Sequence, residues 1–134
     1  GANLEPLNKA AEVLKLSRYR IKSWWDFKSV NKLRNEYYSD WEGMHATPSE
    51  ISITQVNHRV IQSPLADVLP KKLTKKFIKD HVGDKHGEAG VHKKNFPDGR
   101  VGSHSALAKR EHGIELMSKA VTEIQKDYLE FLKT

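Results

Sequence analysis

The chain has 134 residues, 37% of them hydrophobic and 30% charged, with a formal net charge of +6 and no cysteine. That length supports one domain with a real core, and the lack of cysteine excludes disulfides and thiolate metal sites. No apolar run reaches the roughly 18 residues that a membrane-spanning helix needs, and no basic stretch followed by an apolar one marks a secretory signal.

These features favour a cytoplasmic protein with no membrane association. Gly1 is not an initiator methionine, so residues are expected to precede it in the gene or to have been cut away.

In chain order, Leu4, Leu7, Ala11 and Leu14 recur at helical spacing. Asn3 is a plausible N-cap, and Pro6 still falls in the tolerated first turn. The segment from Arg20 to Phe27 alternates and then turns aromatic, which predicts a strand. Ser29 to Tyr38 reads as a short helix or ordered loop, with Val30, Leu33 and Tyr37 on one side. A helix followed by a strand predicts one unit of a layered α/β fold.

The stretch Asp40–Ser52 carries the most information. Thr47 is a natural N-cap and Pro48 suits the first helical position, so a helix is predicted from Pro48 to about Ile61 with Ile53, Val56 and Val60 as its stripe. His45 falls just outside this electropositive helix end and Glu50 in its first turn. Thr47 and Glu50 have the spacing of a capping box, in which Glu50 reaches back to the Thr47 N–H. Glu50 is therefore either a helix cap or a group available for chemistry.

Ser63-Pro64 and Leu69-Pro70 break the chain, because a residue before proline avoids the α region. A strand is predicted near Phe77-Ile78. Gly83 to Gly102 holds five of the eight glycines and reads as loop. The final segment is the clearest helix: Ile114, Met117, Val121, Ile124, Tyr128 and Phe131 step by three and four. Ser103 or Ser105 could cap it, and Gly113 inside it costs about 1 kcal/mol against alanine. The predicted strands are too few for an independent sheet, which points to a piece of a larger α/β domain.

The basic residues are scattered as Lys71-Lys72, Lys75-Lys76, Lys93-Lys94 and Lys109-Arg110, without interleaved aromatics or a nucleic-acid motif. No nucleic-acid partner is expected. The seven histidines include no His-x-x-x-His pair. His81, His86 and His92 fall in the glycine-rich segment, where metal binding is an open possibility. There is no Gly-x-Ser-x-Gly elbow and no phosphate-binding glycine loop.

Three ordered segments resemble the creatininase (creatinine amidohydrolase) family. They are Ser23-Trp24-Trp25-Asp26-Phe27; Trp41-x3-His45-Ala46-x3-Glu50-Ile51-Ser52; and Asp98-Gly99-Arg100-Val101-Gly102-Ser103-x-Ser105-Ala106-x-Ala108-x2-Glu111-His112-Gly113 with the long helix after it. Gly1-Ala2-Asn3 is similar to the end of the family's glycine-rich loop. The resemblance implies an α/β fold, part of a three-layer αβα sandwich, with residues 1–134 as the C-terminal portion of a single domain.

It further implies a metal-dependent hydrolase of non-peptide C–N bonds in small cyclic amides or formamides, using a divalent metal, zinc or manganese. His45 matches the family's catalytic histidine, with a role in proton transfer to the leaving nitrogen. Trp25 and Trp41 match residues lining the substrate pocket. Ala2 stands where creatininase proper has a metal-binding Glu, which leaves Glu50 as a replacement ligand and disfavours creatinine as the substrate. Most metal ligands belong to the family's N-terminal half, which this chain lacks, so that half is an expected partner and the chain alone is expected to be inactive. The family commonly forms hexamers, which implies a homo-oligomer. The alternative is an inactive binding or structural module of the same fold.

Overall fold

The computed structural model describes residues 4–60, 63–81 and 87–133. Its α-helices are α1 (Leu4–Val13), α2 (Lys28–Tyr38), α3 (Pro48–Asn57), α4 (Lys75–Asp80), α5 (Ala89–Asn95) and α6 (Arg110–Lys133). Single 3-10 turns at Trp24–Asp26, Ser39–Trp41, Pro64–Asp67 and Ser105–Leu107 connect them. The one β feature among the described residues is an isolated antiparallel bridge between His45 and Val101. The expected αβα sandwich is therefore replaced by an all-helical arrangement. No helix among the described residues is long and apolar enough to cross a membrane.

Both predicted strands are corrected. A strand needs a neighbour to satisfy its backbone N–H and C=O groups, and the Ser23–Phe27 end of the segment closes a local turn instead. Asp26 accepts from the Ser23 N–H at 2.7 Å while its own N–H returns to the Ser23 carbonyl at 3.0 Å, closing a turn. Arg20, upstream, reaches the C-terminal part of α6, pairing with Asp127 at 3.0 Å and lying 5.1 Å from the Phe131 ring centre.

Phe77-Ile78 is helical, in α4, because Thr74 caps that helix by accepting from the Phe77 N–H at 3.1 Å. Within the glycine-rich segment, α5 occupies what was expected to be loop. Asn3, which was expected to cap α1, lies outside the described residues. α3 ends at Asn57, short of the expected Ile61, because His58 turns extended after its N–H closes the last turn on the Thr54 carbonyl at 2.9 Å.

The core is built by α2, α3 and α6. Val30, Tyr38, Leu116 and Ala120 are buried together, with Trp24, Phe27, Leu33, Tyr37, Ile53 and Leu107 packed around them. The buried face of α6 is not its large apolar stripe. Ile114 is 44% exposed, Val121 61% and Tyr128 57%, whereas Gly113, Leu116 and Ala120 face inward. The reason is a close approach: a Cβ on Gly113 would stand 2.0 Å from the Ser52 carbonyl oxygen. Two backbones that near select small residues for the contact face and turn the bulky stripe outward. Neither Ser103 nor Ser105 caps α6. Ser103 is buried, and the Ser105 hydroxyl donates elsewhere.

Candidate functional site

The loop from Trp41 to Ala46 runs against residues 101–105, so two of the three resembling segments form one unit. The Met44 N–H donates to the Val101 carbonyl at 2.8 Å, and the Val101 N–H donates to the His45 carbonyl at 3.4 Å. The His104 N–H donates to the Trp41 carbonyl at 2.9 Å, and the Ser105 hydroxyl to the Ala46 carbonyl at 2.7 Å. Gly43 makes the fit feasible: its φ is +65°, and a Cβ there would stand 2.5 Å from the Ser103 backbone nitrogen. At the far end of the segments, Ser52 and Gly113 are in backbone contact as well.

This pairing presents a rim of half-buried rings. His45 lies edge-on to His92 of α5, with centroids 6.4 Å apart, and His92 is followed by Phe96 at 5.3 Å. Trp41 lies edge-on to His104 at 5.9 Å, with the Lys72 ammonium 5.6 Å from its centroid. Trp25 belongs to another group: it is 39% exposed, packs edge-on to Trp24 at 5.5 Å, and its carbonyl accepts from Asn31. His92 and His104 were not expected as neighbours of His45 and Trp41. The histidine spacing around His92 was visible in the sequence, but the helix that aims it was hidden among the glycines.

A cleft of about 760 Å3 opens beside Ala46, bordered by Ile51, Leu65, Arg100, Ser105 and Ala108. Arg100, only 8% exposed, fixes one wall. Its guanidinium reaches Asp98 at 2.8 Å and donates to the carbonyls of Ala66 at 3.0 Å and Val68 at 2.8 Å. Asp98 is held below the usual carboxylate range, chiefly because it accepts from the Arg100 N–H.

Glu50 is a cap in this structure. Its Oε2 accepts from the Thr47 N–H at 3.1 Å and from the Thr47 hydroxyl at 3.0 Å, while the Glu50 N–H returns to Thr47 Oγ1. No group of three His, Asp or Glu side chains suited to a metal occurs among the described residues. The capping bonds use Oε2 alone, and one carboxylate does not by itself hold a divalent metal. His86 lies outside the described residues.

Behind the rim, a buried polar chain locks the three core helices. The Ser52 hydroxyl donates to the Pro48 carbonyl at 2.7 Å, accepts from the Lys109 N–H at 2.9 Å, and meets the Tyr38 hydroxyl at 2.8 Å. His112 Nδ1 meets Tyr38 Oη at 3.0 Å, and the His112 ring stacks on Tyr37 at 3.9 Å. Burial pushes the Tyr38 phenol up to about 12; the Tyr37 phenol also rises to about 12, mainly through its hydrogen bond to Glu115.

Ser52→Ala is expected to lower unfolding free energy by about 2–3 kcal/mol, since it strands the Lys109 N–H and leaves the Tyr38 hydroxyl with His112 as its remaining partner. Urea denaturation checks this. In a cycle with Tyr38→Phe the double variant should lose less than the sum of the two single losses.

His112 supplies a pH signature. Burial, then Lys109, holds its imidazolium below the ordinary value of 6.5. The unfolded chain therefore binds the proton more readily than the folded one, and stability falls as pH drops below about 6.5. Urea midpoints measured from pH 7.5 to 5.5 should decline more steeply for this chain than for His112→Gln.

No family model and no curated protein matches this sequence.

Proposed function

We propose that this chain supplies the leaving-group side of the active site of a metal-dependent hydrolase. Its substrates are small molecules with non-peptide C–N bonds, cyclic amides or formamides, as the resemblance to the creatininase family implies. The supporting observation is the pairing of residues 41–46 with residues 101–105, which joins two separately resembling segments beside one cleft. His45 is the proton donor to the departing nitrogen, the general-acid role that histidine most often fills. Trp25 and Trp41 are the walls for a flat substrate that the resemblance implies.

Glu50 is this chain's ligand to the divalent metal, zinc or manganese, since its capping bonds use Oε2 alone. The remaining ligands come from a further polypeptide, the N-terminal half of the same cytoplasmic, homo-oligomeric enzyme. The test is hydrolysis of a panel of cyclic amides and formamides by the full-length protein with zinc or manganese, and again after chelation. Metal-dependent turnover of at least one compound is expected. No turnover with either metal overturns the assignment.

A second reading, a binding or structural module without chemistry, is favoured by one observation. The Glu50 carboxylate is committed to capping α3.

A further inference from the structure

Taking His45 as the proton donor proposed above, we infer that Ser105 is a positioning residue for it, acting through the backbone of Ala46. Ala46 has a φ of +53°, in the left-handed region that L side chains other than Asn and Asp rarely visit. A single residue in that conformation persists only where its surroundings hold it there.

The surroundings are explicit. On one side His45 is fixed by its bridge to Val101. On the other, Thr47 and Pro48 are buried at the start of α3. Ala46 spans the two, and its own carbonyl accepts from the Ser105 hydroxyl at 2.7 Å. Ser105 reaches it because Gly102, with a φ of +72°, turns the chain back after the bridge, and the 3-10 turn then begins at Ser105.

Without the Ser105 hydroxyl, the Ala46 carbonyl loses its restraint and the residue relaxes toward the β or right-handed α region. Rotation about that backbone moves His45 relative to α3, and so relative to the cleft that Ala46 and Ser105 both border. Ser105 itself touches no reacting atom. It sets where the His45 ring sits.

The test uses the full-length protein labelled with 13C in histidine. The His45 Cε1–Hε1 resonance is assigned by its loss in His45→Ala. Ser105→Ala is expected to shift and broaden that resonance, and Ser105→Thr, which keeps the hydroxyl, to restore it. Ala46→Gly provides the decisive background, because glycine reaches positive φ without strain. There Ser105→Ala should perturb His45 much less than it does next to alanine.

In the hydrolysis assay, Ser105→Ala should lower kcat about tenfold or more with KM little changed. An unmoved His45 resonance in Ser105→Ala overturns the proposal. An equal perturbation whether alanine or glycine occupies position 46 also overturns it, since Ser105 would then act through general packing. If the unsubstituted protein hydrolyses nothing, the amidohydrolase assignment fails, while the resonance experiment still decides whether Ser105 positions His45.

Discussion

Gly113→Ala is expected to destabilise this chain by at least about 2 kcal/mol, although the same change at an exposed helical position stabilises. Two effects of opposite sign compete. Alanine gains about 1 kcal/mol of helix propensity over glycine. Against that, the new Cβ would stand 2.0 Å from the Ser52 carbonyl oxygen, 2.4 Å from its carbon and 2.9 Å from the Ile53 nitrogen. All three are backbone atoms of α3, so no side chain can swing aside, and the helices must separate. Separation uncovers Leu116 and Ala120 and stretches the bond from the Lys109 N–H to Ser52. A shift of the urea midpoint to lower concentration checks the sign. A gain in stability would show that α6 can withdraw from α3 at little cost.

The larger functional effect is expected at His45. On the proposed hydrolase reading, His45→Ala in the full-length protein should lower kcat by about 10²–10⁴-fold, the usual contribution of a positioned proton donor. KM should change little, because the interaction lost is made as the leaving nitrogen departs. Circular dichroism of the variant should match the unsubstituted protein, since the bridge to Val101 uses backbone atoms alone. The module reading predicts the opposite result: His45→Ala would leave every measurable activity unchanged. The two readings thus separate on one substitution.

Much of the helical content was legible from local chemistry. Thr47, Pro48 and Glu50 announce the start of α3, and the capping box they predict is present. The three-and-four spacing after Gly113 announces α6. What local pattern could not supply was partnership. The aromatic run at Trp24–Phe27 suits a strand only where another strand lies beside it, and here a side-chain turn and α6 take that place.

The buried face of α6 does not follow its large apolar residues, for a related reason. Large apolar residues advertise a stripe, but the contact with α3 is set by its smallest residue. Trp41 and His45 were singled out from one local stretch of sequence. Their neighbours His104 and His92 come from distant segments, which local spacing does not connect.

The polar chain beneath the rim also dictates where a proton resides. Ser52 has one hydrogen, and it goes to the Pro48 carbonyl; the Tyr38 hydrogen must then point to Ser52. Tyr38 Oη is left as an acceptor, so the ring nitrogen facing it, Nδ1 of His112, carries the hydrogen. Neutral His112 is accordingly the Nδ1–H tautomer, with Nε2 as its basic atom. Acid therefore weakens the fold by placing a charge on a partly buried ring while the Tyr38 bond survives, and 15N shifts of the imidazole should display that order of events.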